Sequence, residues 1–107
     1  MGLLKMESVV SDYIVDVIHA TRFPAEVGLD AARYIEFGAS PRATLSLAAA
    51  ARAHAFLEGR GFVTPDDVKA LGPDVLRHRV LLTYEAEAEG ITVEQVIEQV
   101  FQNVRTL

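Results

Sequence analysis

The stretch that most constrains this chain is PRATLSLAAAARAHAFLE, residues 41–58, which is apolar on nearly every side and carries no internal breaker. Its flanks read as helix punctuation. Ser40 is a good N-cap, and Pro41 suits the first helical position because its missing N–H costs nothing there. Gly59 and Gly61 stop the run through a left-handed cap and a turn around Arg60. The helix should be ~27 Å long at ~1.5 Å per residue. Leu45, Ala48, Ala49, Ala53, Phe56 and Leu57 give one face, and Leu47, Ala50, Ala51 and Ala55 make much of the remainder apolar. A helix apolar almost all round is a central one, and small alanines let its neighbours approach closely. The expected architecture is therefore a mainly helical bundle built around residues 41–58.

Arg42 is the odd residue in that start. A helix N-terminus carries partial positive charge, so a cation there is unfavourable by roughly 0.3–1 kcal/mol. Two positive features converging on one spot suit an anion, phosphate being the obvious one. The alternative is a solvated or carboxylate-paired surface arginine. Local chemistry leaves both readings open.

The remaining segments supply the rest of the bundle. Val9, Val10, Tyr13, Ile14, Val17 and Ile18 form an apolar stripe that predicts a helix over residues 8–22. Residues 23–39 are punctuated by Pro24, Gly28 and Gly38 and read as irregular, with a short extended piece at 33–37. Phe62-Val63 could form another short extended segment. Thr64-Pro65-Asp66-Asp67 opens a third helix, because a cap, an N1 proline and two carboxylates all meet the positive dipole end. Gly72-Pro73 is expected to break it, with a short helix restarting at Asp74. Residues 79–84 read as a strand, and 85–91 as an acidic connector. Thr92 and Gln95 form a capping box for a last helix whose stripe is Val93, Val96, Ile97, Val100, Phe101 and Val104.

The 107 residues suffice for one domain, with 50% hydrophobic and 23% charged residues. Ten Lys and Arg against fifteen Asp and Glu leave a net charge of −5, which argues against nucleic acid as a partner. No cysteine excludes disulfides and thiolate chemistry. No secretory signal and no apolar run of about 18 residues is present, so the expected setting is cytoplasmic with no membrane span. Residues 1–6 read as a linker or the start of a fragment, and 7–107 as the domain.

No nucleophile–base pair stands out. His19, His54 and His78 are scattered without metal-ligand spacing. An i, i+4 contact with Glu58 accounts for His54, and helix capping accounts for Asp66 and Asp67. Two basic features remain, Arg42 and the triplet Arg77-His78-Arg79, the latter explicable as cations at a helix C-terminus.

Three motifs in order, Gly38-Ala39-Ser40-Pro41-Arg42-Ala43, Gly59-Arg60-Gly61-Phe62-Val63-Thr64-Pro65-Asp66-Asp67-Val68 and Val75-Leu76-Arg77-His78-Arg79, resemble the C-terminal lid domain of MoxR-type AAA+ ATPases. The resemblance covers about residues 7–107 and includes Glu85–Gly90 before the last helix. It implies a mainly α lid-type bundle with one or two short β segments. It implies that Arg42 is the sensor-2 arginine, contacting the phosphates of ATP held with Mg by a larger core domain, and that Arg77 and Arg79 contact that core or a neighbouring ring subunit. It implies chaperone-like work on a client that the sequence does not name. The Walker motifs, sensor 1 and the arginine finger belong to the core and have no counterpart in this sequence, so the isolated chain should neither hydrolyse ATP nor bind it usefully. Separated from its core, a lid should present an apolar or arginine-containing patch at the start of helix 41–58. A free-standing helical adaptor is the other reading. A helix-turn-helix DNA binder fits poorly, since its recognition helix would be mostly alanine in an acidic chain.

Overall fold

The computed structural model describes residues 8–27 and 33–104. The linker-type start assigned to residues 1–6 lies outside them. Five α-helices and a two-stranded sheet follow in the order α1 (Ser8–Arg22), β1 (Ile35–Phe37), α2 (Ala43–Leu57), α3 (Pro65–Leu76), β2 (Leu81–Leu82), α4 (Tyr84–Ala88) and α5 (Val93–Asn103), with a 3₁₀ turn at Pro24–Val27. The mainly helical bundle is as expected.

α2 packs most extensively on α3 and also lies against α1, while α5 closes the bundle against α1 and α3. The core joins Val10, Ile14 and Val17 of α1 to Leu47 of α2, Val68 and Leu76 of α3, and Ile97 and Val100 of α5. A smaller cluster of Tyr34, Ala86 and Val96 sits under the sheet. β1 and β2 are antiparallel, with Ile35 opposite Leu82 and Phe37 opposite Leu81.

The stripes of α1 and α5 face inward as their spacing predicts, apart from Val9, which is half-exposed. The α2 face does not. Ala43, Leu47, Ala51 and Ala55 are fully buried, whereas Leu45, Phe56 and Leu57 are exposed. With apolar residues all round, periodicity carries no orientation, and packing against α1 and α3 selects the alanine row because it permits the closest approach.

The ends of α2 also differ from one another. At its C-terminus the amide of Arg60 bonds the Ala55 carbonyl and that of Gly59 bonds Phe56, both at 3.0 Å. Gly59 has φ +77°, so this is the left-handed Schellman cap anticipated there. At its N-terminus the expected Ser40 hydroxyl cap is not formed. The Ser40 carbonyl instead accepts from the Ala43 amide at 2.9 Å, followed by Pro41 to Thr44 at 3.1 Å and Arg42 to Leu45 at 3.0 Å. These i, i+3 bonds make a tight lead-in turn, so the regular helix begins at Ala43 rather than 41.

Two further expectations are corrected. Gly72-Pro73 does not break α3, which runs unbroken through Pro73 to Leu76. An interior proline costs about 3 kcal/mol, but continuing the helix carries Leu76 into full burial, and Arg77 N–H still bonds the Pro73 carbonyl. The strand expected over 79–84 shrinks to Leu81–Leu82, because the Thr83 hydroxyl accepts from the Ala86 amide at 3.2 Å and caps a short helix. The acidic connector is therefore partly helical, as α4.

Candidate functional site

The start of α2 is the site the sequence singles out, and its position is set by a buried strap. Thr21, fully buried at the end of α1, donates its hydroxyl to the Ile18 carbonyl at 2.7 Å. The same oxygen accepts from the Ala39 amide at 3.0 Å. A side chain at position 38 would run into the Thr21 backbone carbonyl, so only glycine lets the two segments come this close. Gly38→Ala should therefore destabilise the chain by about 1–3 kcal/mol, read as a lower melting temperature, because the obstruction is backbone and cannot rotate away.

Beyond the strap, Ser40, Pro41 and Arg42 are exposed. Arg42 has helical dihedrals, φ −65° and ψ −22°, and stands at the N-cap of α2. Among the described residues no ion pair or hydrogen bond engages its side chain; the arginines held by carboxylates are Arg33 with Glu89, Arg60 with Asp67, and Arg77 with Asp74 and Glu94. The outward row that begins with it continues as Leu45, Ala49, Ala53 and Phe56, the i, i+3, i+7, i+11 and i+14 positions. Leu45 is 74% exposed and Phe56 58%. The patch expected at the start of this helix is thus present, and it extends along the whole helix.

The structure brings Arg79 to the same end. Its guanidinium donates to the Ser46 hydroxyl at 3.2 Å, and Ser46 is one turn along α2 from Arg42. Arg77 goes elsewhere: its Nε lies 3.0 Å from Glu94 and its Nη2 3.0 Å from Asp74, tying the end of α3 to the start of α5. Among the described residues no group of three or more His, Cys, Asp or Glu is placed to hold a metal ion.

Sequence reasoning under-read Asp67. Its side chain is fully buried between α2 and α3. It accepts from the Thr64 amide at 2.7 Å, from Arg60 through both carboxylate oxygens, and from His54 Nδ1 at 2.6 Å. Burial favours the neutral acid, but the Thr64 amide, His54, Arg60 and the Thr64 hydroxyl favour the carboxylate, and the net effect holds Asp67 below its ordinary value. The capping role expected of it is real, as is the His54–Glu58 contact at 3.6 Å. The missed part is the bridge to α2. The available signal was a histidine near the end of α2, His54, and an arginine within the Gly59–Gly61 turn, Arg60, ahead of an acid at the next helix start. The hub has no nucleophile and is structural: it ties the end of α2 and the turn after it to the start of α3.

Comparison with known proteins decides the family. A model of the AAA lid domain family matches residues 28–100. This chain belongs to that family. Within it the AAA lid is of the MoxR type: it is 51% identical over 94 residues to chaperone MoxR1 of Mycobacterium tuberculosis, covering 87% of this chain and 25% of that protein. It is 42% identical over 99 residues to protein MoxR of Paracoccus denitrificans, covering 86% of this chain and 29% of that protein. A crystal structure from Cytophaga hutchinsonii, described as a "putative ATPase", superposes with a TM-score of 0.94 at 44% identity, over 98% of this lid and 32% of that chain. The lid thus spans about a quarter to a third of the length of the relatives it matches. No helix among its described residues is long and apolar enough to cross a membrane.

Proposed function

We propose that this lid senses nucleotide in a MoxR-type AAA+ ATPase, with Arg42 as the sensor-2 arginine. The observation that carries the reading is an exposed guanidinium with no partner among the described residues, fixed at the start of α2 by a buried strap. Its chemistry suits a phosphate: a rigid, permanently charged fork beside the positive end of a helix of fifteen residues. The nucleotide itself would be held by a core domain, which supplies the Mg site and the hydrolytic residues. The relatives' greater length supports a lid working beside such a domain over a free-standing adaptor.

Arg42 contributes charge stabilisation at the terminal phosphate, which grows where negative charge accumulates during phosphoryl transfer. A triphosphate and a diphosphate offer it different contacts, so the lid takes different positions with each. The row Leu45, Ala49, Ala53 and Phe56 packs against the core or against a neighbouring subunit of a ring. The parent protein acts as a chaperone-like motor in the cytoplasm, and the isolated chain does not turn over ATP.

The test is Arg42→Ala in the full-length protein. Steady-state ATP hydrolysis should fall at least tenfold, roughly the loss of one charged contact in the transition state, with the melting temperature of the lid unchanged because Arg42 supports no internal contact. Unchanged turnover would remove the sensor role.

A further inference from the structure

The surroundings of Arg42 contain a second cation that the sensor reading does not use. Arg79 follows α3 and precedes the buried Val80 and the β2 strand. The alternation around Val80 turns Arg79 outward, and its guanidinium meets Ser46 of α2 across 33 residues of sequence. Ser46 shares the outward side of α2 with Arg42, one turn apart, with side-chain bases about 5–6 Å from each other. Arg79 is therefore anchored to α2 one helical turn from Arg42.

Arg79 is anchored differently from the chain's carboxylate-paired arginines. Fifteen acidic residues outnumber ten basic ones, so carboxylate partners are abundant. Arg33, Arg60 and Arg77 each have one. Arg79 instead bonds a neutral hydroxyl in the first turn of α2. Two arginines without carboxylate partners among the described residues, one turn apart along α2, suit a shared anion. The Ser46 bond occupies one donor nitrogen, and among the described residues no other bond engages the guanidinium.

We infer that Arg79 is a second phosphate-contacting arginine, forming with Arg42 a two-pronged clamp on the terminal phosphate of a nucleoside triphosphate. This rests on the sensor reading of Arg42 and extends it to discrimination between triphosphate and diphosphate. Two guanidiniums on one terminal phosphate lose both contacts when that phosphate leaves, so the clamp amplifies the difference that a lone arginine would sense.

The experiment compares the affinity of the full-length protein for ADP and for a non-hydrolysable ATP analogue in six forms: wild type, Arg79→Ala, Arg79→Lys, Ser46→Ala, Arg42→Ala and, as a control, Arg52→Ala, an exposed arginine further along α2. Arg79→Ala should weaken the ATP analogue roughly tenfold, the size of one charge-assisted contact, while ADP affinity changes little. Arg79→Lys should keep part of the preference, and Ser46→Ala and Arg52→Ala should keep most of it. If Ser46→Ala reproduces the Arg79→Ala loss, Arg79 is only a tether between segments and the inference falls. It also falls if Arg79→Ala leaves the ratio unchanged while Arg42→Ala lowers it, an outcome that spares the sensor reading. Loss of the ratio change in both arginine variants overturns the two together.

Discussion

Asp67→Ala should lower the stability of this chain by about 3 kcal/mol, the scale for removing one partner from a buried ion pair. In a domain of this size that is a fall of roughly 10–20 °C in melting temperature. The reason lies in what is left behind. Arg60, His54 and the Thr64 amide all point at a carboxylate with no exposed surface. Arg60 and His54 each retain about a quarter of their side-chain exposure, so water can reach part of the wound, which keeps the expected loss at the lower end of the range. Asp67→Asn should lose less, because the amide oxygen can still accept from Thr64. Thermal unfolding at neutral pH checks both values, and a shift under about 3 °C for Asp67→Ala would show that the hub contributes nothing to folding.

The same residue gives a pH dependence with a fixed sign. Its carboxyl is held below the ordinary value of 3.8 in the folded chain. The unfolded chain therefore binds its proton first as pH falls, and the folded state loses stability on acidification. Asp67's contribution is fully present above the usual carboxylate range, about pH 5 and higher, and disappears as pH drops through the lowered native value. The stability gap between the wild type and Asp67→Asn should accordingly be wide at pH 7 and narrow towards pH 3. A gap that stays constant over that range would mean that charge at Asp67 is irrelevant.

What the sequence made legible was chemistry carried by neighbours in the chain. α1 and α5 show their buried faces in residue spacing, and Thr64, Thr92 and Gly59 mark helix ends through local hydrogen bonds. Features decided by distant partners were hidden. The orientation of α2 depends on which side α1 and α3 approach. The continuity of α3 through Pro73 depends on burying Leu76. The short β2 depends on Thr83 turning its hydroxyl to Ala86 instead of extending the strand. The candidate site divides along the same line. Arg42 was visible because a cation at a helix start is locally anomalous, whereas the Arg79–Ser46 contact and the His54–Asp67 bond span 33 and 13 residues and exist only in the folded chain.

Leu47→Ala should cost about 2–5 kcal/mol, whereas Leu45→Ala, two residues away on the same helix, should stay within about 0.5 kcal/mol. Leu47 has no exposed surface and is the one large side chain in the buried row Ala43, Leu47, Ala51 and Ala55. Its neighbours along that row are alanines, which have no reach to fill the space it leaves, so the cavity cannot collapse cheaply. Leu45 already meets solvent over 74% of its surface, and truncating it removes little burial. Thermal unfolding of the 107-residue chain should therefore separate the pair by roughly 10–20 °C. The order should reverse in function. In the full-length protein Leu45→Ala, next to Arg42 on the outward face, should impair ATP turnover while the fold persists, because that row is free to pack on another domain. If Leu45→Ala proves the more destabilising of the two in the isolated chain, the inward and outward faces of α2 have been assigned the wrong way round. The claim that its outward row serves docking would then fail with them.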